Sequence, residues 1–127
     1  MTDPVFAITG HATVLHVKDV RTALSFYRDK LSFAVTFSWE DPPHYVCLCL
    51  GDCAIHLNSY VPPAGSSHVC IFCKGIDALY AQLTARGVDI VEPIGDRDYG
   101  MRDFVVTDPD GHRLVFGQGI SERISEQ

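Results

Sequence analysis

The sequence predicts an α+β protein of two tandem βαβββ modules, whose curved mixed sheets surround a cleft and carry their helices on the outer face. Along the 127 residues, a strand, a helix and three further strands occur in that order twice. The two halves also align: Val20 matches Ile76 at an offset of 56 residues, and His56 matches Val115 at an offset of 59. The repeated order and the regular offsets together indicate a duplicated module.

Module one is predicted over about residues 8–60. Its first strand is HATVLHV at residues 11–17, and a helix over residues 20–31 follows with Asp19 as its N-cap. One stripe of this helix is apolar and consists of Val20, Ala23, Leu24, Tyr27 and Leu31. Strand candidates then follow at residues 33–39, 44–50 and 53–60. Gly51-Asp52 supplies the tight turn before the last of them.

Module two is predicted over about residues 68–118, after the linker VPPAGSS at residues 61–67. It contains a strand, a helix that Gly87 terminates, a short strand in VDIVEP and two final strands. These elements cover residues 68–73, 76–86, 88–93, 101–108 and 112–118. Asp108-Pro109-Asp110-Gly111 has the chemistry of a turn and is not interpreted as an acidic site. We expect one domain over residues 1–120 and a flexible tail at residues 121–127.

Composition excludes some functions. The chain is 46% apolar, its net charge is −6, and its ten Lys and Arg residues are scattered. An acidic domain without a basic stripe argues against binding nucleic acid or an anionic membrane, and weakly favours a neutral or cationic ligand. We find neither a signal peptide nor an apolar run of about 18–20 residues, and therefore expect a cytoplasmic protein.

Five cysteines occur between residues 47 and 73, and we expect them to be reduced and buried. Cys70 and Cys73 have the spacing of a zinc or redox motif. They lie within the apolar strand HVCIFC, however, where alternation directs their thiols to opposite faces. The pair is therefore not interpreted as a metal or redox site.

Alternation divides each sheet into two faces. The apolar sets, such as Leu15, Leu48 and Ile55, are predicted to lie under the helices. The opposite face is a mixture of small, aromatic and polar residues that is typical of a ligand cleft. In module one this face holds Ala12, Val14, His16, Tyr45, Cys47, Cys49, Ala54, His56 and Asn58. In module two it holds His68, Cys70, Phe72, Asp103, Val105, Thr107, Arg113, Val115 and Gly117. The alternative is a solvated face or one packed in a dimer.

Two segments carry a resemblance to a known family. VKDVRTALSFYRDKLSF and MRDFVVTDPDGHRLVFG, within paired βαβββ modules, resemble the vicinal oxygen chelate superfamily of glyoxalases, extradiol dioxygenases and bleomycin-resistance proteins. The resemblance covers residues 8–118. DRDYGMRD at residues 96–103 is similar to the WG-x-R stretch of the bleomycin-resistance-like branch, with Tyr99 in place of Trp. Ser32 stands where relatives have a glycine, so we expect local strain there.

The resemblance implies four metal-ligand positions, which fall on Ala12, His56, His68 and Val115. Ala12 cannot coordinate a metal, and Val115 replaces the carboxylate that the metalloenzymes use. A catalytic site normally needs three protein ligands. No metal or other cofactor is therefore expected, and His56 and His68 remain the tentative ligands if Zn, Mn, Ni or Fe binds.

The resemblance implies two main hypotheses for function. The first is metal-free sequestration of a small molecule, aromatic or cationic, by a homodimer that exchanges modules or does not. Its predicted cleft residues are His16, Trp39, Tyr45, His56, His68, Cys70, Phe72, Tyr99 and Arg113. The second is a divalent-metal-dependent lyase, isomerase or dioxygenase with a reduced site at His56 and His68. A third alternative is a regulatory or assembly module without a ligand.

Overall fold

The structure is a computed structural model that describes residues 9–121, and it confirms the predicted fold class. Module one contains β1 (Thr13–His16), α1 (Val20–Leu24), β2 (Ala34–Trp39), β3 (Tyr45–Leu50) and β4 (Cys53–Asn58). Module two contains β5 (His68–Phe72), α2 (Ile76–Ala85), β6 (Ile90–Asp96), β7 (Met101–Thr107) and β8 (Arg113–Gly119). Each module forms its own four-stranded sheet, with the strand orders β1-β4-β3-β2 and β5-β8-β7-β6. No helix within residues 9–121 is long and apolar enough to cross a membrane.

Strand register reproduces the internal repeat. In the parallel pair β1–β4, Val14 lies opposite His56, and in the parallel pair β5–β8, Cys70 lies opposite Val115. These two pairs are related by the offsets of 56 and 59 residues that align the halves of the sequence. Each module ends with an antiparallel pair that connects the remaining strands. Equivalent positions in the two modules can therefore be compared directly.

The first helix departs from the prediction. Only Val20–Leu24 is α-helical, and Ser25–Lys30 continues as a π-helical segment. The wider turn places Phe26 and Tyr27, which are neighbours in sequence, together in the core. Asp19 is the N-cap as predicted, because its carboxylate accepts a hydrogen bond from the Arg21 backbone N–H.

Ser32, directly after this helix, has a φ of 72°. That left-handed conformation confirms the predicted strain, since a side chain with a Cβ is disfavoured there. The Ser32 hydroxyl accepts a hydrogen bond from Arg86, at the end of α2, over 2.9 Å. The strained residue therefore connects the ends of the two helical segments.

The apolar core lies between the sheets and the helices and extends through both modules. It includes Leu15, Val46, Leu48, Ile55 and Leu57 of module one, and Ile71, Phe104, Val106, Leu114 and Phe116 of module two. These residues belong to the alternating sets that were predicted to lie under the helices. Burial of each such side chain contributes roughly 1.5–3 kcal/mol.

A polar network joins the two modules at the end of β1. The hydroxyl of Tyr27 donates a hydrogen bond to the buried carboxylate of Asp108 over 2.7 Å, and Nε2 of His112 lies 2.8 Å from the His16 carbonyl oxygen. Asp110 accepts a hydrogen bond from the Lys18 backbone N–H. Asp108 also caps its own turn, since it accepts from the backbone N–H groups of Asp110 and His112. The turn chemistry was predicted, but its role in joining the modules was not.

Two further predictions need correction. None of the five cysteines is fully buried: four are half-buried and Cys70 is exposed, although all five thiols are free. Strand β6 extends to Asp96, beyond the short VDIVEP segment, because it pairs with β7 through a register that shifts twice.

Candidate ligand-binding faces

The module-one face, the sheet surface away from the helices, consists of two rows of side chains. Cross-strand neighbours in a sheet point to the same side, so the register defines the rows. One row is Val14, His56, Cys47 and Phe37, and the next is His16, Asn58, Tyr45 and Trp39. The structure therefore brings four of the predicted site residues, His16, Trp39, Tyr45 and His56, onto one continuous surface.

A β-bulge in β2 places Phe37 and Trp39 on this face. The register of β2 against β3 shifts between Val35, which lies opposite Leu48, and Phe37, which lies opposite Cys47. Without the shift, simple alternation would direct Phe37 and Trp39 to the helix-covered side with the buried Phe33. Their rings instead stack on the open face, with centroids 6.1 Å apart, and both side chains are more than half exposed. Phe37 was absent from the predicted site, because a bulge leaves no clear signal in the alternation of this strand.

Tyr45 and His56 form the polar part of the module-one face. The Tyr45 hydroxyl lies 2.8 Å from Nδ1 of His56, and the two rings meet edge to face. This hydrogen bond fixes the orientation of the imidazole. A ligand on the face would therefore meet an ordered histidine next to the exposed Phe37–Trp39 pair.

The module-two face is built around a buried carboxylate. Asp103 is 5% exposed and accepts a hydrogen bond from Nε of Arg97 over 2.7 Å and another from the hydroxyl of Tyr99. Arg97 also donates to the carbonyl oxygens of Pro93 and Asp103. These bonds hold the turn between β6 and β7 next to the sheet, while the Tyr99 ring stays 68% exposed.

Electrostatics support this arrangement. The hydrogen bond from Tyr99 to the Asp103 carboxylate raises the pKa of the Tyr99 phenol, so Tyr99 stays a neutral hydrogen-bond donor. Hydrogen bonding to Asp103 likewise raises the pKa of Arg97. Arg97 and Asp103 were not among the predicted site residues, although both lie in the DRDYGMRD segment, which could have pointed to them.

The remaining predicted residues lie along β5 and β8. Cys70 is opposite Val115, Phe72 is opposite Gly117, and His68 is opposite Arg113. Phe72 and Cys70 are exposed, and the Phe72 side chain has 76% of its surface accessible. Arg113 approaches Glu92 to 3.5 Å across the face. Module two therefore presents a more polar surface than module one.

The donors present do not fit a metal ion. His56 belongs to the module-one face and His68 to module two, and the two further positions implied by the family carry Ala12 and Val115. Within residues 9–121, no three His, Cys, Asp or Glu side chains are grouped so that they could hold a metal. We therefore derive no catalytic step through a metal.

Fold and faces together define a class: a duplicated βαβββ protein with two open, partly aromatic sheet faces. A sequence model of the Glyoxalase/Bleomycin resistance protein/Dioxygenase superfamily matches residues 9–116. The chain belongs to this superfamily, as the resemblance indicated. A search of curated proteins finds no significant match.

Solved structures of similar fold include both binding proteins and an enzyme. The bleomycin-binding protein of bleomycin-producing Streptomyces verticillus, complexed with copper(II)-bleomycin, is 26% identical, with a TM-score of 0.75 over 91% of this chain and 99% of that chain. TnmS3, an antibiotic-binding protein of a Streptomyces species, is 21% identical, with a TM-score of 0.72 over 90% and 98%. Lactoylglutathione lyase of Agrobacterium tumefaciens is also 21% identical, with a TM-score of 0.74 over 94% and 98%. The fold alone therefore does not decide between binding and catalysis.

Proposed function

We propose that this protein binds a flat, small organic molecule without a metal and acts by sequestering it. The observation that carries the proposal is the exposed, stacked Phe37–Trp39 pair, which a β-bulge directs onto the open face. Offset stacking on such a pair favours planar aromatic ligands and contributes roughly 0.5–1.5 kcal/mol per ring pair. The replacement of two of the family's ligand positions by Ala12 and Val115 supports binding over metal-dependent catalysis.

The ligand is expected to lie between a module-one face and a module-two face. The first supplies aromatic surface and the Tyr45–His56 pair, and the second supplies Tyr99 and Phe72. The bleomycin-binding and antibiotic-binding neighbours favour a drug-like molecule over a metabolite of simple shape. Since Asp103 is already paired with Arg97, the site has no strong preference for a cation.

We infer that a second copy of the chain completes the site. Both faces leave large apolar side chains exposed in one chain, including Val14, Phe37, Trp39 and Phe72. Contiguous exposed apolar surface of this kind marks an interaction surface. A homodimer in which module one of one copy faces module two of the other would cover these residues and enclose the ligand.

The free thiols of all five cysteines also support a reducing compartment, and we propose the cytoplasm.

Trp39, the only tryptophan of the chain, makes the binding proposal directly testable. Bleomycin and a panel of planar aromatic antibiotics are titrated into the protein while Trp39 fluorescence is followed. We expect at least one compound to quench the emission at micromolar concentration. Phe37→Ala should then weaken binding roughly three- to tenfold, because one stacked ring is lost. Tyr99→Ala should weaken it to a similar extent.

Val61→Ala is the matched control, because Val61 is an exposed apolar residue in the linker and should not affect affinity. Quenching that is unchanged in both Phe37→Ala and Tyr99→Ala would place the ligand elsewhere and overturn the proposal. The absence of binding across the panel, together with an enzymatic turnover that depends on His56 and His68, would favour the metal-dependent alternative instead.

A further inference from the structure

A pocket of about 650 Å³ lies where the edge strands β1 and β5 of the two sheets approach each other. It is lined by the start of β1, the turn between β3 and β4, strand β5 and Leu79 of α2. It shares Cys70 and Phe72 with the module-two face, but neither Phe37, Trp39 nor His56 borders it. The volume is within the range of about 300–1,000 Å³ that small-molecule sites occupy.

The internal repeat shows why this space is open. We call the contact between the end of β1 and the β7–β8 turn the first junction. The equivalent contact between the end of β5 and the β3–β4 turn is the second junction. Because Val14–His56 is equivalent to Cys70–Val115 in strand register, His112 of the first junction corresponds to Cys53 of the second. By the same register, Tyr27 corresponds to Leu83.

The first junction is filled by aromatic side chains. The Tyr27 ring is fully buried and His112 is 2% exposed. Nδ1 of His112 accepts a hydrogen bond from the Ser67 backbone N–H over 2.9 Å, and Nε2 lies 2.8 Å from the His16 carbonyl oxygen. An imidazole and a phenol thus occupy the space between the end of β1 and the β7–β8 turn.

The second junction lacks both rings. Cys53 is much smaller than His112, and Leu50, which takes the place of Asp108 in the β3 register, offers no polar partner. Ile71, Leu79 and Phe116 form apolar walls of the pocket that remains. Thr13 and His11 border it on the side of β1, and none of its described lining residues is Lys or Arg.

We propose that this pocket is a second binding site, separate from the two sheet faces, for a small, uncharged aromatic molecule with a hydroxyl or N–H group. The ligand would fill the space that the rings of His112 and Tyr27 fill at the first junction. Its ring would contact Ile71, Leu79 and Phe116, and its polar group would reach Thr13 or His11. Charged ligands are disfavoured, because the apolar walls cannot replace the water around an ion.

The test uses the full-length protein and 2-naphthol as the probe. ¹H–¹⁵N NMR spectra are recorded during a titration, and shifts are expected at Cys53, Ile71 and Thr13. The dissociation constant should be on the order of 0.1–1 mM, which suits a ligand of this size. Cys53→Phe, which restores an aromatic ring at the position of His112, should weaken binding at least about tenfold by filling the pocket. Thr13→Phe fills the pocket from the opposite wall and should have the same effect if Cys53→Phe does not fold.

Trp39→Ala is the control, because it alters the module-one face and should leave 2-naphthol binding unchanged. This pair of variants separates the present proposal from the proposed function, which requires Trp39 and does not require Cys53. Absence of shifts around the pocket, or equal affinity in both filled variants, would overturn the proposal. So would shifts that appear only after removal of residues 1–8, because the chain's own N-terminal segment would then be the occupant.

Discussion

The hydrogen bond between Tyr27 and Asp108 predicts a measurable coupling between the modules. Tyr27→Phe removes one hydroxyl and leaves the ring in the core, where it contacts Phe26 and Phe33 edge to face. The apolar packing and the volume of the site are therefore nearly unchanged. What is lost is a single 2.7 Å hydrogen bond to a carboxylate that is 5% exposed.

The expected cost follows from the burial of both partners. A hydrogen bond to a charged group contributes roughly 1.5–3 kcal/mol, and a buried acceptor that loses its partner is not compensated by water. Asp108 keeps its two backbone N–H donors from Asp110 and His112, so the carboxylate is not left bare. We therefore expect the free energy of unfolding to fall by about 2 kcal/mol.

Urea denaturation followed by circular dichroism measures this change. Tyr60→Phe is the matched control, because it removes the same kind of hydrogen bond, from Tyr60 to Glu40, at an exposed position. Its expected cost is below about 0.5 kcal/mol, since water and side-chain mobility replace most of a surface interaction. If the two variants were equally stable, the reasoning that the buried network joins the modules would be refuted.

The same tyrosine predicts a loss of stability at alkaline pH. Burial, followed by the negative charge of Asp108, raises the pKa of Tyr27 far above its usual value near 10. Above pH 10 the unfolded chain releases this proton while the folded chain retains it, so the stabilisation present at lower pH is lost as pH rises. Wild-type protein should lose about 1.4 kcal/mol by pH 11 relative to Tyr27→Phe. A stability difference between the two proteins that stays constant from pH 8 to pH 11 would contradict the assignment.

Three more outcomes are expected. Wild-type protein purified without chelator and incubated with Zn²⁺, Mn²⁺, Ni²⁺ or Fe²⁺ should retain less than about a tenth of an equivalent, whereas Ala12→His combined with Val115→Glu should take up Zn²⁺ stoichiometrically; equal metal content in both proteins would reject our interpretation of the ligand positions. Ser32→Gly should raise the free energy of unfolding by about 0.5–1 kcal/mol in urea, because relief of the positive φ exceeds the loss of the exposed hydrogen bond from Arg86; a destabilised variant would show that this bond dominates. Light scattering at micromolar concentration should give the mass of a dimer, and a monomer there would refute the proposed completion of the site by a second copy.

Much of the fold could be predicted because duplication makes the pattern redundant. The offset that pairs His56 with Val115 is present in the sequence and again in the strand register. Alternation also separated the buried residues from the open face, since a shift of one residue in a strand would have placed every core side chain in water. The strain at Ser32 was likewise predictable, because it depends on one residue in one helix-ending position.

The candidate site was less predictable, and the reasons are local. Phe37 reaches the open face only because the pairing of β2 shifts by one residue, and a bulge has no reliable signature in a single strand. The partnership of Tyr27 with Asp108 joins residues 81 positions apart, which no periodicity detects. The π-helical segment that sets the position of Tyr27 was also missed, since its apolar stripe is compatible with an ordinary α-helix.

The differences between the modules indicate how a ligand would be oriented. At equivalent places in the register, module one has Tyr45 and Trp39 where module two has Asp103 and Gly95. A molecule held between the two faces would therefore meet an aromatic surface on one side and the hydrogen-bonding Tyr99–Asp103–Arg97 group on the other. A planar ligand with a polar edge satisfies both surfaces in only one orientation, since the reverse would bury its polar edge against Phe37 and Trp39 without a partner. The asymmetry between the repeats thus favours specific recognition over nonspecific adsorption of aromatic compounds.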